Sequence, residues 1–193
     1  MVSSITLKNL IIGYHSKHQL RAIASPVHAS LQAGELTCLI GANGVGKSTL
    51  LRTLAGFQPA LDGEILIQDK SLSDFSAQEL AREISIVLTS KTDHAQLSAE
   101  EIVGIGRSPY TGFWGTLSAA DKQIVASALQ ETGIQHLAQR NISELSDGER
   151  QKVMIAKALA QQTRIIILDE PTAFLDFPSK IETLQMLRRL AHE

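Results

Sequence analysis

Cysteine is nearly absent from these 193 residues, and the one present, Cys38, cannot form an internal disulfide. The fold must therefore rest on buried apolar surface, the situation of proteins in a reducing compartment. An excess of charge of one sign is lacking as well. The formal net charge of −2 gives no overall basic character, so nucleic acid is not an expected partner. No apolar run approaches the ~18 residues that a transmembrane helix needs. Residues 1–8 lack a basic stretch followed by an apolar core, so no secretory signal is read there. A role at a membrane would then come through a partner. Repeats, heptads and low-complexity tracts are missing too. The length suits one domain, or one plus a small subdomain, with a sizeable core.

What is present centres on Gly41-Ala42-Asn43-Gly44-Val45-Gly46-Lys47-Ser48-Thr49, which fits G-x-x-x-x-G-K-[ST] with Gly41 and Gly46 as the fixed glycines. The apolar run at 35–40 ahead of it reads as a buried strand, with Cys38 as a small buried residue. Beyond it, Leu50, Leu51, Leu54 and Phe57 recur at helical spacing, which predicts a helix from about Lys47. Strand, glycine turn and helix N-terminus make a cradle of inward N–H groups, reinforced by the helix dipole. Such a cradle, with Asn43, Gly44 and Thr49 in it, suits a nucleoside triphosphate. Lys47 then neutralises the β- and γ-phosphates, and the Ser48 hydroxyl ligates Mg²⁺.

In chain order, a strand is expected over 5–14, followed by a polar, mixed segment from 15 to 31. After the glycine loop, Pro59 and Asp62-Gly63 mark a turn, and 64–67 reads as a strand. A short helix at 76–83 leads to a strand at 84–88. Ser98-Ala99-Glu100-Glu101 is a capping box, with Leu97 and Ile102 as its staple, so a helix runs to about Gly106. Residues 107–117 form a loop rich in glycine and aromatics. A helix follows over 118–132, with Ile124, Val125, Ala128 and Leu129 on one face and Gly133 as its stop. A third begins near Ser146 and carries Val153, Ile155, Ala156, Leu159 and Ala160. A strand at 164–168 and a helix opened by Pro178 complete the chain. Strands flanking an all-helical stretch give an α/β core with an inserted helical subdomain.

Two further motifs carry chemistry. Ile165-Ile166-Ile167-Leu168 ends in Asp169 and Glu170, whose side chains leave the strand on opposite faces and can do different jobs. In a phosphate-loop enzyme the first acid holds Mg²⁺ and the second polarises the attacking water. Leu145-Ser146-Asp147-Gly148-Glu149-Arg150 lies some twenty residues upstream. With this loop the chain resembles the ABC ATPase family, whose signature reads L-S-G-G-Q. The resemblance also takes in Tyr14, residues 41–49, Leu168-Asp169-Glu170-Pro171-Thr172 and Leu175-Asp176, and so covers nearly the whole chain.

That resemblance implies a phosphate-loop α/β core with an N-terminal antiparallel β portion. A single nucleotide-binding domain spans 1–193, with its core at 1–89 and 159–193 and its helical subdomain at 90–158. It implies a head-to-tail homodimer, each ATP lying between the phosphate loop of one copy and Ser146 and Gly148 of the other. Lys47 and Glu170 become catalytic, Tyr14 stacks on adenine, and Asp176 lies in the loop that crosses the dimer. Mg²⁺ falls to Ser48 and Asp169, with Thr89 where the family has a glutamine. Other departures are Asp147 in place of a signature glycine and a switch histidine expected beyond Glu193, so the sequence reads as cut inside its domain. His192 comes too early for that role and reads as a surface residue.

The short helical insertion on a lone domain is the transporter pattern within the family. Residues 102–110 and Ser118-Ala119-Ala120-Asp121 resemble the ATPases of iron-siderophore, haem and cobalamin importers. Transmembrane permease subunits and, indirectly, a periplasmic or lipoprotein binding protein are the implied partners, on the cytoplasmic face of the cell membrane. Tyr110, Phe113 and Trp114 either line the groove for a permease helix or pack the helical subdomain onto the core. The alternative function is a non-hydrolytic or degenerate nucleotide-binding module, or an ABC ATPase outside transport.

Overall fold

The structure is a computed structural model and describes residues 3–16, 19–23, 26–88, 96–112 and 114–192. It divides into two compact units. One holds the chain up to Leu80 with the end of the last helix from Arg188; the other is Ala81–Leu187.

The first unit is built on β1 (Ser3–Ile11), β2 (Gly13–Ser16), β3 (Gln19–Ala22), β4 (Val27–Gln32), α1 (Lys47–Leu54), β5 (Asp62–Ile67) and β6 (Lys70–Ser71). Four strands form an antiparallel sheet in the order β4-β1-β5-β6, and β2 pairs with β3 as a separate hairpin. Alternation along β1 buries Ile5 and Leu7, which lie opposite Ile67 and Ile65 of β5. Asn9 at φ 48° marks a bulge in β1, and its carbonyl closes on Gly63, whose φ of 83° and crowded Cβ position leave no room for a side chain.

Gly13 and Tyr14 lie in the strand expected over 5–14, whereas the end of β2, all of β3 and nearly all of β4 fall in the segment expected to be mixed and polar. Their residues are mostly polar, and β4 is largely exposed, so no apolar alternation announces them. The opposite correction applies at 35–40. These residues form no strand, all six are exposed, and Ile40 is 91% exposed. Cys38 is exposed with them. An apolar run becomes a buried strand only where a neighbouring strand satisfies its backbone. Among the described residues no strand pairs with this run.

The second unit contains the end of α2 (Ala77–Glu83), then β7 (Ile84–Val87), α3 (Ala99–Ile105), α4 (Ala119–Glu131), α5 (Asp147–Ala160), β8 (Ile165–Leu168) and most of α6 (Phe177–His192). β7 and β8 run parallel, with Ile84 opposite Ile165 and Val87 opposite Leu168. The α3, α4 and α5 helices enclose one apolar core that includes Ile102, Val103, Val125, Leu129, Ile134, Val153 and Ala156. Each fully buried branched side chain there contributes about 1.5–3 kcal/mol.

Arg107 fastens these three helices at their ends. Its guanidinium is buried and donates to Asp121 Oδ1 at 2.8 Å, to the Ala160 carbonyl at 2.8 Å and to Gln162 Oε1 at 3.1 Å. Asp121 is also the acid of the α4 capping box. The Ser118 hydroxyl, with the Arg107 guanidinium and the Ser118 N–H, pulls its carboxyl from 3.8 to about 2. Tyr110 lies with its ring 4.1 Å from the Arg107 guanidinium and 5.3 Å from that of Arg82. Arg82 also donates to the Pro109 carbonyl, so this side of the loop packs within its own unit. Trp114 is 87% exposed, and Phe113 lies outside the described residues.

Candidate functional site

The glycine loop folds as its composition requires. Gly44 has φ 78° and Gly46 φ 103°, both left-handed, and α1 begins directly after Gly46. A Cβ on Gly46 would meet Ile23 Cγ2 at 2.6 Å, so glycine is needed there for conformation and for space. No side chain caps α1, and its first turn holds no acid. Its N–H groups and positive dipole end are thus free of a carboxylate of their own helix. Lys47 Nζ curls over the loop and donates to the carbonyls of Gly41 at 2.8 Å and Ala42 at 2.9 Å. Asn43 is exposed, Ser48 half-buried and Thr49 buried, all in or beside the first turn. Amides at a helix end beside one ammonium have the chemistry that suits an anion.

Tyr14 stands on β2, half exposed, with its hydroxyl 2.9 Å from Thr49 Oγ1. The hairpin is held at a second point, where Ile23 lies against Gly46. Ile23 was not singled out in the sequence, because nothing local marks a residue that fills the space beside a glycine.

In the second unit, Asp169 extends the parallel pair, its N–H donating to the Val87 carbonyl at 2.9 Å, and it is nearly buried. Glu170 is exposed and sits at φ 50°, a conformation that non-glycine residues adopt at a cost. The turn it starts closes by the Ala173 N–H donating to the Glu170 carbonyl. The two acids therefore differ in exposure, Asp169 nearly buried at the strand's end and Glu170 exposed in the turn rather than placed by strand alternation. Asp176 caps α6 by accepting from the Ser179 N–H at 3.2 Å. Hydrogen bonds from the Ser179 hydroxyl and N–H hold its carboxyl below the usual carboxylate range.

The signature loop ends in the N-terminus of α5, where Ser146 is the cap. Its hydroxyl accepts from the Glu149 N–H at 3.3 Å and donates to Glu149 Oε2 at 2.8 Å, which also accepts from the Ser146 N–H. Those bonds lower the Glu149 carboxyl below its ordinary value. Asp147, the residue in a glycine's place, forms an ion pair with Arg150 one turn on. Gly148 faces Ser179, whose Oγ would lie 3.4 Å from an added Cβ, an ordinary separation. The sequence reading takes Glu149 and Arg150 as part of the signature loop but assigns neither its role here, Glu149 in the cap and Arg150 in the ion pair. Ser-x-x-Glu was there to be read as a capping box.

Mg²⁺ takes oxygen donors, and Ser48 in the first unit and Asp169 in the second each carry one, a hydroxyl and a carboxylate. Among the described residues no group of three or more His, Cys, Asp or Glu side chains gathers as a metal cluster. Thr89 lies outside the described residues. His192 is exposed.

The ABC transporter family matches residues 24–173. An ABC transporter ATP-binding protein of Methanocaldococcus jannaschii is 40% identical over 186 residues, covering 96% of this chain and 63% of its own length. The iron(3+)-hydroxamate import ATP-binding protein FhuC of Bacillus subtilis is 37% identical over 192 residues, covering 100% of this chain and 70% of that protein. The chain thus spans about two thirds of the length of these relatives. A solved ATP-binding cassette, dimeric in a post-hydrolysis state with ADP and Pi bound, superimposes with a TM-score of 0.80 at 26% identity. That alignment covers 97% of this chain and 82% of the other. With the phosphate loop, the paired acids after β8 and the signature loop all inside the matched span, the chain belongs to the ABC transporter family.

Proposed function

We propose that the chain is the ATP-binding and ATP-hydrolysing subunit of an ABC importer. The observation that carries this reading is the uncapped N-terminus of α1 behind two left-handed glycines, with Lys47 poised over the loop. The loop amides and Lys47 hold the triphosphate, while Tyr14 stacks on the adenine. Ser48 and Asp169 would hold Mg²⁺, which supplies charge neutralisation at the phosphates, and Thr89 stands where a further ligand acts directly or through water. Glu170 orients or deprotonates the attacking water. Ser146 and Gly148 of a second copy complete the charge stabilisation in a head-to-tail homodimer, with Asp176 in the loop that crosses it. The dimeric ADP-bound cassette supports this arrangement. The domain divides, on this reading, into a core at 1–89 and 159–193 and a helical subdomain at 90–158.

The likeness to an iron(3+)-hydroxamate import protein supports an iron chelate, haem or cobalamin-like cargo, delivered through transmembrane permease subunits and a periplasmic or lipoprotein binding protein. No helix among the described residues is long and apolar enough to cross a membrane, so the subunit would sit peripherally, on the cytoplasmic face. A second reading, a module that binds nucleotide without turnover, draws on Glu149, whose carboxylate occupies the helix end that a second copy's phosphate would use. Glu170→Gln separates the two. Phosphate release should fall by at least about 100-fold, some 2.7 kcal/mol of transition-state stabilisation, with ATP affinity unchanged and a dimer trapped in ATP. Turnover at the parent rate would overturn the assignment of Glu170, and a parent that releases no phosphate would favour the second reading.

A further inference from the structure

We propose that Thr49 is a positioning residue for the base-stacking ring: its hydroxyl tethers Tyr14, so that base and phosphate subsites are set at a fixed separation before nucleotide arrives. The inference rests on the reading of residues 41–49 and Tyr14 as a nucleotide site and deepens it. Three observations within the first unit carry it. Tyr14 Oη and Thr49 Oγ1 are 2.9 Å apart, while Thr49 is only 5% exposed and Tyr14 is 53% exposed. The buried partner is thus the fixed one, and the exposed ring is what it orients. The hairpin that bears Tyr14 touches the phosphate loop again at Ile23, which fills the space beside Gly46. The Ile23 N–H also donates to the Ile12 carbonyl at 2.9 Å, which fastens the end of the hairpin to its start. A ring on a four-residue strand, in a hairpin outside the main sheet, would otherwise have no reason to hold one orientation. With the tether it loses less freedom on binding, which raises affinity through preorganisation.

The test is a double-mutant cycle on the whole chain, read by titration calorimetry with ATP and with inorganic tripolyphosphate as a probe that has no base. Tyr14→Phe keeps the ring and loses the hydroxyl; Thr49→Val keeps the shape and loses its partner. Each should lower ATP affinity about threefold to tenfold, the range of one hydrogen bond, and the double variant should be no weaker than the weaker single. The ratio of ATP to tripolyphosphate affinity should fall in each. Thr49→Ser should restore it. Additive losses, or equal weakening of both ligands, overturn the inference and leave the nucleotide site standing. A parent that binds tripolyphosphate as well as ATP removes the stacking ring and the inference together, and a parent that binds neither removes the phosphate site. Should Thr49→Val fail to fold, Tyr14→Phe against the parent decides on the same ratio.

Discussion

Helix α1 starts behind a left-handed glycine with no capping side chain and no acid in its first turn, whereas α5 starts with Ser146 and Glu149 bonded to each other over its first N–H groups. Both ends carry the same partial positive charge, because both are stacks of aligned peptides. The difference lies in what already sits there. At α1 the end is kept open, and Lys47 adds a full charge beside it. At α5 a carboxylate of the same helix has taken the position, and Asp147 with Arg150 adds a second internal ion pair. Within a single copy, the helix end that holds no anion of its own is the one more open to a phosphate. In this chain α3 and α4 follow the α5 pattern, with capping boxes at Ser98–Glu101 and Ser118–Asp121. The open end is the exception.

The hardest blow to this contrast is Gly46→Ala. The added methyl meets Ile23 and must hold φ 103°, so the loop re-aims its amides. ATP affinity is expected to fall by about 100-fold or more, equivalent to about 2.7 kcal/mol, in a calorimetric titration. Retained affinity would mean that the phosphate is not held by these amides.

How much of this could be read from the sequence follows the range of the interactions involved. The cap at Ser98, the start of α1 at Lys47 and the stop at Gly133, with φ 73°, depend on residues within four positions and were all legible. So was the core face of α4, where Val125, Ala128 and Leu129 are buried. The run at 35–40 misled because its pattern states a need for neighbours without supplying them. The end of β2, with β3 and β4, escaped because mostly polar strands carry no apolar alternation. At the site, the lysine, glycines and acids were found by spacing. The Tyr14–Thr49 bond spans thirty-five positions, and the Arg107 to Ala160 bond fifty-three, so neither had a local signal.

Ser146→Ala is the next step down and acts on the closed end. Losing an N-cap hydroxyl costs about 1 kcal/mol, which in a chain of this size lowers Tm by about 2–4 °C. ATP binding by the single copy is expected to be unchanged in the same titration, since Ser146 serves α5 and not α1. A loss of ATP affinity in dilute, monomeric protein would break the separation between the two ends.

Glu149→Gln gives the smallest effect and the sharpest reading of why α5 is closed. The glutamine oxygen can still accept from the Ser146 N–H, so the shape of the cap survives while its charge is removed. The Ser146 N–H and hydroxyl lower the Glu149 carboxyl below its ordinary 4.5, so the folded chain binds that proton less readily than the unfolded one. The stabilisation is then complete above about pH 4.5 and is lost as pH falls through the lowered folded value. Glu101, Asp121 and Asp176 shift in the same direction, so the total pH profile cannot isolate one cap. The difference between parent and variant can. In melts from pH 7 downward the parent should lead the Gln variant, and the lead should shrink below pH 4.5 as Glu149 itself becomes neutral. A lead that stays constant would show that the carboxylate works at this helix end by shape alone, and the charge argument that separates α5 from α1 would fail.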